Sequence, residues 1–163
     1  MGKNLTELLL KIRSVKMPNV FNPWTDADDL DEARDACGPS GRCARLSLHF
    51  DRSPRLLLVG EAPGYQGCHF SGVPFTNERL IVDGKVPGVP AVRFTKREKP
   101  WSEPSATVVW GTLHELGIAA DVVMWNAFPC HPHNPGEPMS NRTPTRAELI
   151  AGAPVLKAVV EHF

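Results

Sequence analysis

Two short segments hold the residues whose types and spacing could do chemistry. The first is Gly60-Glu-Ala-Pro-Gly-Tyr-Gln-Gly-Cys-His-Phe-Ser-Gly-Val-Pro-Phe75, with one carboxylate, Glu61, at its head. Its glycines invite comparison with phosphate loops, and both familiar ones fail. A Walker loop ends in Gly-Lys followed by Ser or Thr, which is absent here. A dinucleotide fingerprint needs G-x-G-x-x-G, and Gly60, Gly64 and Gly67 have a different spacing. A glycine-rich structural turn therefore stands beside any functional reading of this loop. The second segment is Asn126-Ala-Phe-Pro-Cys-His-Pro-His-Asn-Pro135, followed by Ser140-Asn-Arg-Thr-Pro144. An Asn in this position either serves a ligand or caps the backbone of the turn that follows.

The flanking pattern says where these segments sit. Arg55-Leu-Leu-Leu-Val59, bounded by Pro54 and Gly60, suits a strand buried on both faces of a parallel sheet. Asp121-Val-Val-Met-Trp-Asn126 reads as a second buried strand. Between them, residues 60–101 are too long for an ordinary connection, so they are functional or contain short helices. Ser105 then opens a helix with Val109, Leu113 and Leu116 on one face and Gly117 as its stop. Upstream, Leu5, Leu8, Leu9 and Ile12 mark an amphipathic helix over residues 4–16. Residues 17–54 are rich in Pro, Asp and Gly and predict an irregular stretch with a short helix around 28–36. Thr145-Arg-Ala-Glu148 has capping-box spacing and starts a last helix, which Pro154 kinks or divides.

This βαβα order predicts an α/β fold with a parallel sheet. Ligand sites in such sheets lie beyond the carboxyl ends of the strands, which puts Glu61 and Asn126 side by side. Two strands are few for a sheet covered on both faces, and the chain reaches Phe163 still in a helical pattern. The expectation is one domain over 1–163. Residues 1–54 form its N-terminal helix and irregular segment, and 55–163 its motif-bearing core, with the last strands missing.

Four patterns occur in order: Gly-Glu-Ala-Pro-Gly at a strand end, Gly-x-Pro-Phe about ten residues on, a strand ending in Asn, and Asn-Arg-Thr-Pro before a helix. Together they resemble the uracil-DNA glycosylase superfamily, most closely its bacterial branch with a Gly-Glu-x-Pro-Gly first motif, over roughly residues 55–160. The resemblance implies a three-layer α/β/α fold around a central parallel sheet. It also implies hydrolysis of the N-glycosidic bond of uracil, or a related deaminated base, in DNA. On that reading Glu61 steadies the cationic sugar and orients water. The flipped base stacks on Phe75 and is read by Asn126, whose amide accepts from uracil N3–H and donates to O4. The backbone of Ala62, Pro63 and Gly64 lines the base. Some branches place an Asp where this chain has Ala62, and some relatives carry at Gly64 a bulky residue that excludes the thymine methyl. Relatives continue with a third strand and a His-Pro donor to uracil O2, so weak or lost activity and self-association through open sheet edges are expected.

Remaining features are less specific. Lys and Arg total 18 against 18 Asp and Glu, a zero net charge that excludes binding driven by a strongly basic surface. DNA contacts are expected locally, from Asn141 and Arg142 and from a loop holding Arg93, Lys96, Arg97, Lys99 and Trp101. Glu98 and Glu103 dilute that loop, and a merely solvated surface is the other reading. His131 and His133 could reach the pocket or a phosphate, with at least one at the surface. One branch of the superfamily holds an iron–sulfur cluster. Cys130 matches its third ligand, but the fourth position is Gly152 and Cys37 and Cys43 are widely spaced, so no cofactor or metal is expected. The cysteines are then free thiols packed as small apolar groups. No leader or membrane span is evident, which makes a cytoplasmic monomer acting on uracil-containing DNA the expectation. The competing readings are a non-catalytic nucleobase or nucleic-acid binder and a small metal-binding interaction protein.

Overall fold

The computed structural model describes residues 5–34 and 36–163. Helix α1 (Leu5–Arg13) buries Leu8 and Ile12, as the spacing predicts. Strand β1 (Val20–Phe21) follows, then helix α2 (Gly38–Phe50) and strand β2 (Leu56–Gly60). Two short helices, α3 (Cys68–Ser71) and α4 (Glu78–Val82), punctuate the long glycine- and proline-rich stretch. Helix α5 (Pro104–Glu115), a 3-10 turn (Ala119–Asp121), strands β3 (Val122–Asn126) and β4 (His131–Pro132), and helix α6 (Arg146–His162) complete the order.

β2 and β3 pair in parallel, from Leu56 opposite Val122 to Gly60 opposite Asn126. The alternation of a strand sends Leu58, Val122 and Met124 to one face, packed with Ala106, Trp110 and Leu113 of α5. Leu57, Val123 and Trp125 face the other way, into a core shared with α1, α2 and α6. The molecule is thus a three-layer α/β/α arrangement around a parallel pair. The outer edge of β3 is closed by side chains of α2 and the turn after it. The Met124 N–H donates to His49 Nε2 at 3.0 Å, and Arg52 reaches the Val122 carbonyl at 3.5 Å. His49 is fully buried, and burial pushes its pKa down to about 3, which keeps the ring a neutral acceptor.

Four expectations need correction. The helix in the early irregular segment lies at 38–50, not 28–36, where turns stand instead. β3 is buried along its whole length, but β2 is not: Leu56 and Val59 are 49% and 43% exposed. The buried face of α5 runs through Ala106, Trp110 and Leu113, and Leu116 faces solvent. α6 passes through Pro154 as one helix, its start fixed by a complete Thr145–Glu148 capping box. No described helix is long and apolar enough to cross a membrane.

Candidate functional site

The parallel register brings the two motif segments to one sheet edge. Gly60 and Asn126 are paired strand ends, and the loops leaving them stay tied. Ala127 N–H donates to the Gly60 carbonyl at 2.8 Å and Phe128 N–H to the Glu61 carbonyl at 2.9 Å. Gly60 must lack a side chain. A Cβ there would collide with the Phe75 ring and stand 2.9 Å from Asn126 Oδ1. The Phe75 ring and the Asn126 amide therefore converge on the bare backbone of Gly60. Glu61, Ala62, Pro63 and Gly64 line the same pocket, joined by Cys68, Glu103 and Ser105.

Asn126 is 3% exposed, yet its side-chain amide makes no hydrogen bond among the described residues. A turn-capping Asn would bond to the adjacent backbone. An amide that makes no bond within the protein and lines a pocket is instead placed to read a ligand, because its donor and acceptor remain open on the pocket side.

Phe75 has φ +52°, a left-handed conformation that few bulky residues adopt. Its turn is over-determined from several sides. Ser71 Oγ donates to the Val73 and Thr76 carbonyls, and Trp110 Nε1 donates to Thr76 Oγ1 at 3.0 Å. Arg45 donates from Nε to the Ser71 carbonyl at 2.7 Å and from Nη2 to Phe70, while Trp24 Nε1 donates to the Gly72 carbonyl. Arg45 lies buried in α2, and burial lowers its pKa to about 10. Its neighbour Arg42, also buried, pairs with Asp31 at 2.6 Å. Arg45 thus braces the turn that carries the aromatic wall, while Arg42 ties α2 to the carbonyls of Pro23 and Asp26. Sequence reasoning missed them because nothing in their spacing distinguishes a buried arginine from a solvated one.

A polar mouth opens beside the pocket, lined by Glu61–Gly64, Glu103, Asn141, Arg142 and Thr143. Asn141 Oδ1 accepts from the Tyr65 N–H at 3.0 Å, which stitches the Asn-Arg-Thr-Pro segment to the motif loop. Arg142 is positioned at the mouth but spent internally. It grips both Glu148 oxygens at 2.7 and 2.8 Å, and its other donors go to the carbonyls of His133, Thr143 and Asn19. Direct phosphate contact through Arg142 would require breaking that clamp.

The clamp has a pH signature. Hydrogen bonds from Arg142, chiefly, hold the Glu148 carboxyl down to about 2. An unfolded glutamate titrates near about 4.3, so the native state binds this proton less readily than the unfolded chain. The contribution, about 3 kcal/mol, is complete above the unfolded pKa and drains away as pH falls toward the folded one. Glu148→Gln is expected to lower the urea midpoint markedly at pH 6, with the gap to wild type closing between about pH 4 and pH 2. A gap unchanged across that range would deny the clamp its role.

The basic loop is likewise turned inward. Glu78, fully buried, accepts from the backbone N–H groups of Phe94, Thr95 and Trp101, from Thr95 Oγ1, and from Arg93 Nε at 3.1 Å. Burial works to raise the Glu78 carboxyl, but these hydrogen bonds outweigh it and hold it below its ordinary value. The remaining Arg93 donors go to the carbonyls of Thr95, Arg97 and Glu98. Arg93 is therefore a brace and not a free phosphate ligand. Lys96 donates to the Asp29 carbonyl at 2.7 Å from an exposed position. The Arg97 guanidinium lies 3.6 Å from the Trp101 ring centre, and Trp101 meets Tyr65 edge to face. The loop thus adjoins the motif loop through an aromatic contact.

His131 is buried and His133 only partly so. His131 Nδ1 faces His69 Nδ1 at 2.9 Å, and His69 Nε2 meets Asp28 at 3.1 Å. Burial pushes His131 down to about 3. All four cysteines are free. They do not fit a four-cysteine cluster. Cys37 packs in one core and Cys68 in the other, and a side chain at Gly152 would press on the Ala127 carbonyl at 2.9 Å. Among the described residues no three metal-ligating side chains converge.

With this geometry in place, one comparison is informative. A family model described as the Uracil DNA glycosylase superfamily matches residues 49–163, which contain both motif segments and every residue lining the pocket. No curated protein matches the chain.

Proposed function

The chain belongs to the uracil-DNA glycosylase superfamily, and from that premise we propose that it is a DNA-repair hydrolase that releases uracil from DNA. The observation that carries the proposal is the unpartnered Asn126 amide beside the Phe75 ring, with Glu61 on the adjoining strand tip. A base turned out of the duplex stacks on Phe75 and offers its polar edge to Asn126. Uracil satisfies that amide, with Oδ1 accepting from N3–H and the NH2 donating to O4. Cytosine presents the opposite pattern and leaves two buried groups unpaired.

As the C1′–N1 bond breaks, its electron pair moves onto the base and the sugar becomes cationic. The Glu61 carboxylate, at the strand tip, is the negative group assigned to steady that sugar. It also accepts a hydrogen bond from the water whose oxygen forms the new bond to C1′. The proton released by that water leaves through Glu61, and the uracil anion departs from the pocket. On the DNA side, Asn141 at the polar mouth and the exposed Lys96 are the groups proposed to meet phosphates, each with donors left beyond its internal hydrogen bond, with Arg97 and Tyr65 beside them. Arg93 and Arg142 act by shaping these loops.

The test is single-turnover excision from a uracil-containing oligonucleotide, single- and double-stranded. Glu61→Gln, nearly isosteric, is expected to slow release by about a hundredfold or more. Glu61→Gln protein that cleaves at the wild-type rate would remove Glu61 from the chemistry.

A further inference from the structure

Glu103 is a second carboxyl in the pocket, and neither motif contains it. It stands at the N-cap of α5, but its side chain does not cap the helix. It lines both the inner pocket and the polar mouth together with Glu61. The motif loop is built around it. Glu103 Oε1 lies 3.1 Å from where a Cβ on Gly64 would stand, and Oε2 fills the place of a Cβ on Gly67. Two glycines of the Gly-Glu-Ala-Pro-Gly-x-x-Gly loop thus leave the volume that this carboxyl occupies.

We propose that Glu103 is a catalytic residue of this pocket, present as the neutral acid and donating a hydrogen bond to a carbonyl oxygen of the departing base. The assignment rests on the glycosylase reading above. Its physical basis is that the base becomes anionic as it leaves, so an ionised carboxylate against it would oppose the reaction. A neutral carboxyl with an O–H donor favours it. No proton needs to leave Glu103; the hydrogen bond strengthens as charge grows on the base oxygen.

The surroundings favour the neutral form. Burial raises the Glu103 carboxyl above its ordinary range, and the hydrogen bond from Ser105 opposes this only partly. The groups facing it are Glu61 across the pocket, the buried Cys68 thiol, the Asn141 amide, and the α5 N-terminus on its own element. Arg142 also lines the mouth, but its charge is neutralised by Glu148. Among the described residues no Lys or Arg forms an ion pair with Glu103.

Two measurements test this. Infrared difference spectra of wild type minus Glu103→Gln at neutral pH, without DNA, are expected to show the stretch of a protonated carboxylic acid. Single-turnover excision is expected to fall on the alkaline side in wild type as Glu103 ionises. That limb is expected to vanish in Glu103→Gln, whose amide still donates. Glu103→Leu is expected to be about a hundredfold slower at every pH. An absent acid band overturns the proposal without reference to activity. So does Glu103→Leu protein with the wild-type rate and profile, and that result leaves uracil excision itself standing. Wild-type protein that shows the acid band but releases no uracil ends the glycosylase reading, and the catalytic role of Glu103 with it.

Discussion

Gly60→Ala is expected to lower uracil excision about a hundredfold or more while leaving a folded protein. The added methyl has nowhere to go. On one side is the ring of Phe75, and on the other Asn126 Oδ1 at 2.9 Å. Gly60 is itself held in register opposite Asn126, with its carbonyl accepting from Ala127, so the backbone has little freedom to retreat. Phe75 is the group most able to yield, but its turn is fixed at positive φ by Ser71, Thr76, Trp110 and Arg45. Overpacking of this kind costs about 1–3 kcal/mol of stability. The cost to catalysis is larger, because a shift of about 1 Å in a positioning group loses on the order of a hundredfold in rate. Single-turnover rate and urea midpoint, measured on the same preparation, separate the two effects. A rate unchanged from wild type would mean that Phe75 and Asn126 do not form the base-binding walls.

Asn126→Ala is expected to have an effect at least as large, with a different signature. The variant removes both groups that pair with the uracil edge, each worth about 1–3 kcal/mol against an unpaired alternative. Two such losses correspond to roughly thirtyfold to twenty-five-thousandfold in kcat/KM. Stability is expected to stay nearly level, because the amide lines the pocket and makes no hydrogen bond within the described residues. The preference for uracil over cytosine is expected to collapse with the rate. An Asn126→Ala protein that loses stability instead, and keeps its base preference, would assign the amide to the fold.

The pocket was legible in the sequence because strand ends and glycine loops announce themselves locally. Two apolar runs, each closing on a polar residue, place Glu61 and Asn126 on adjacent tips without knowledge of any packing. The capping box before α6 is equally local. What could not be read is everything that depends on where charges point. Helix α2 looks like irregular polar chain, with Gly38, Pro39 and Gly41 at its start and Arg42, Arg45 and His49 along its buried face. Those polar residues are satisfied by carbonyls and side chains distant in sequence, and they crowd the short apolar stripe of Cys43, Leu46 and Phe50 that would otherwise reveal the helix. The loop holding Arg93 and Arg97 is the opposite case. Its charges suggest a phosphate contact, but the Arg93 guanidinium is bound to the buried Glu78 and that of Arg97 lies on the Trp101 face. Glu103 reads as one more charge in a mixed loop until the third dimension sets it beside Gly64 and Gly67.

The same contrast explains the aromatic wall. Gly-Val-Pro-Phe75 is visible as a motif, but its conformation is held by residues of α2, α3 and α5 and by Trp24. The site is therefore positioned by residues from both cores of the protein, and the motif alone would not hold Phe75 at the strand tips.

Titration of free uracil into isotopically labelled protein tests most directly whether these strand tips hold a base. Saturable shifts of the Asn126 side-chain amide and the Phe75 ring are predicted with uracil, and none with cytosine at equal concentration. Resonances of both residues that stay fixed under uracil, or that move alike with the two bases, would contradict the account.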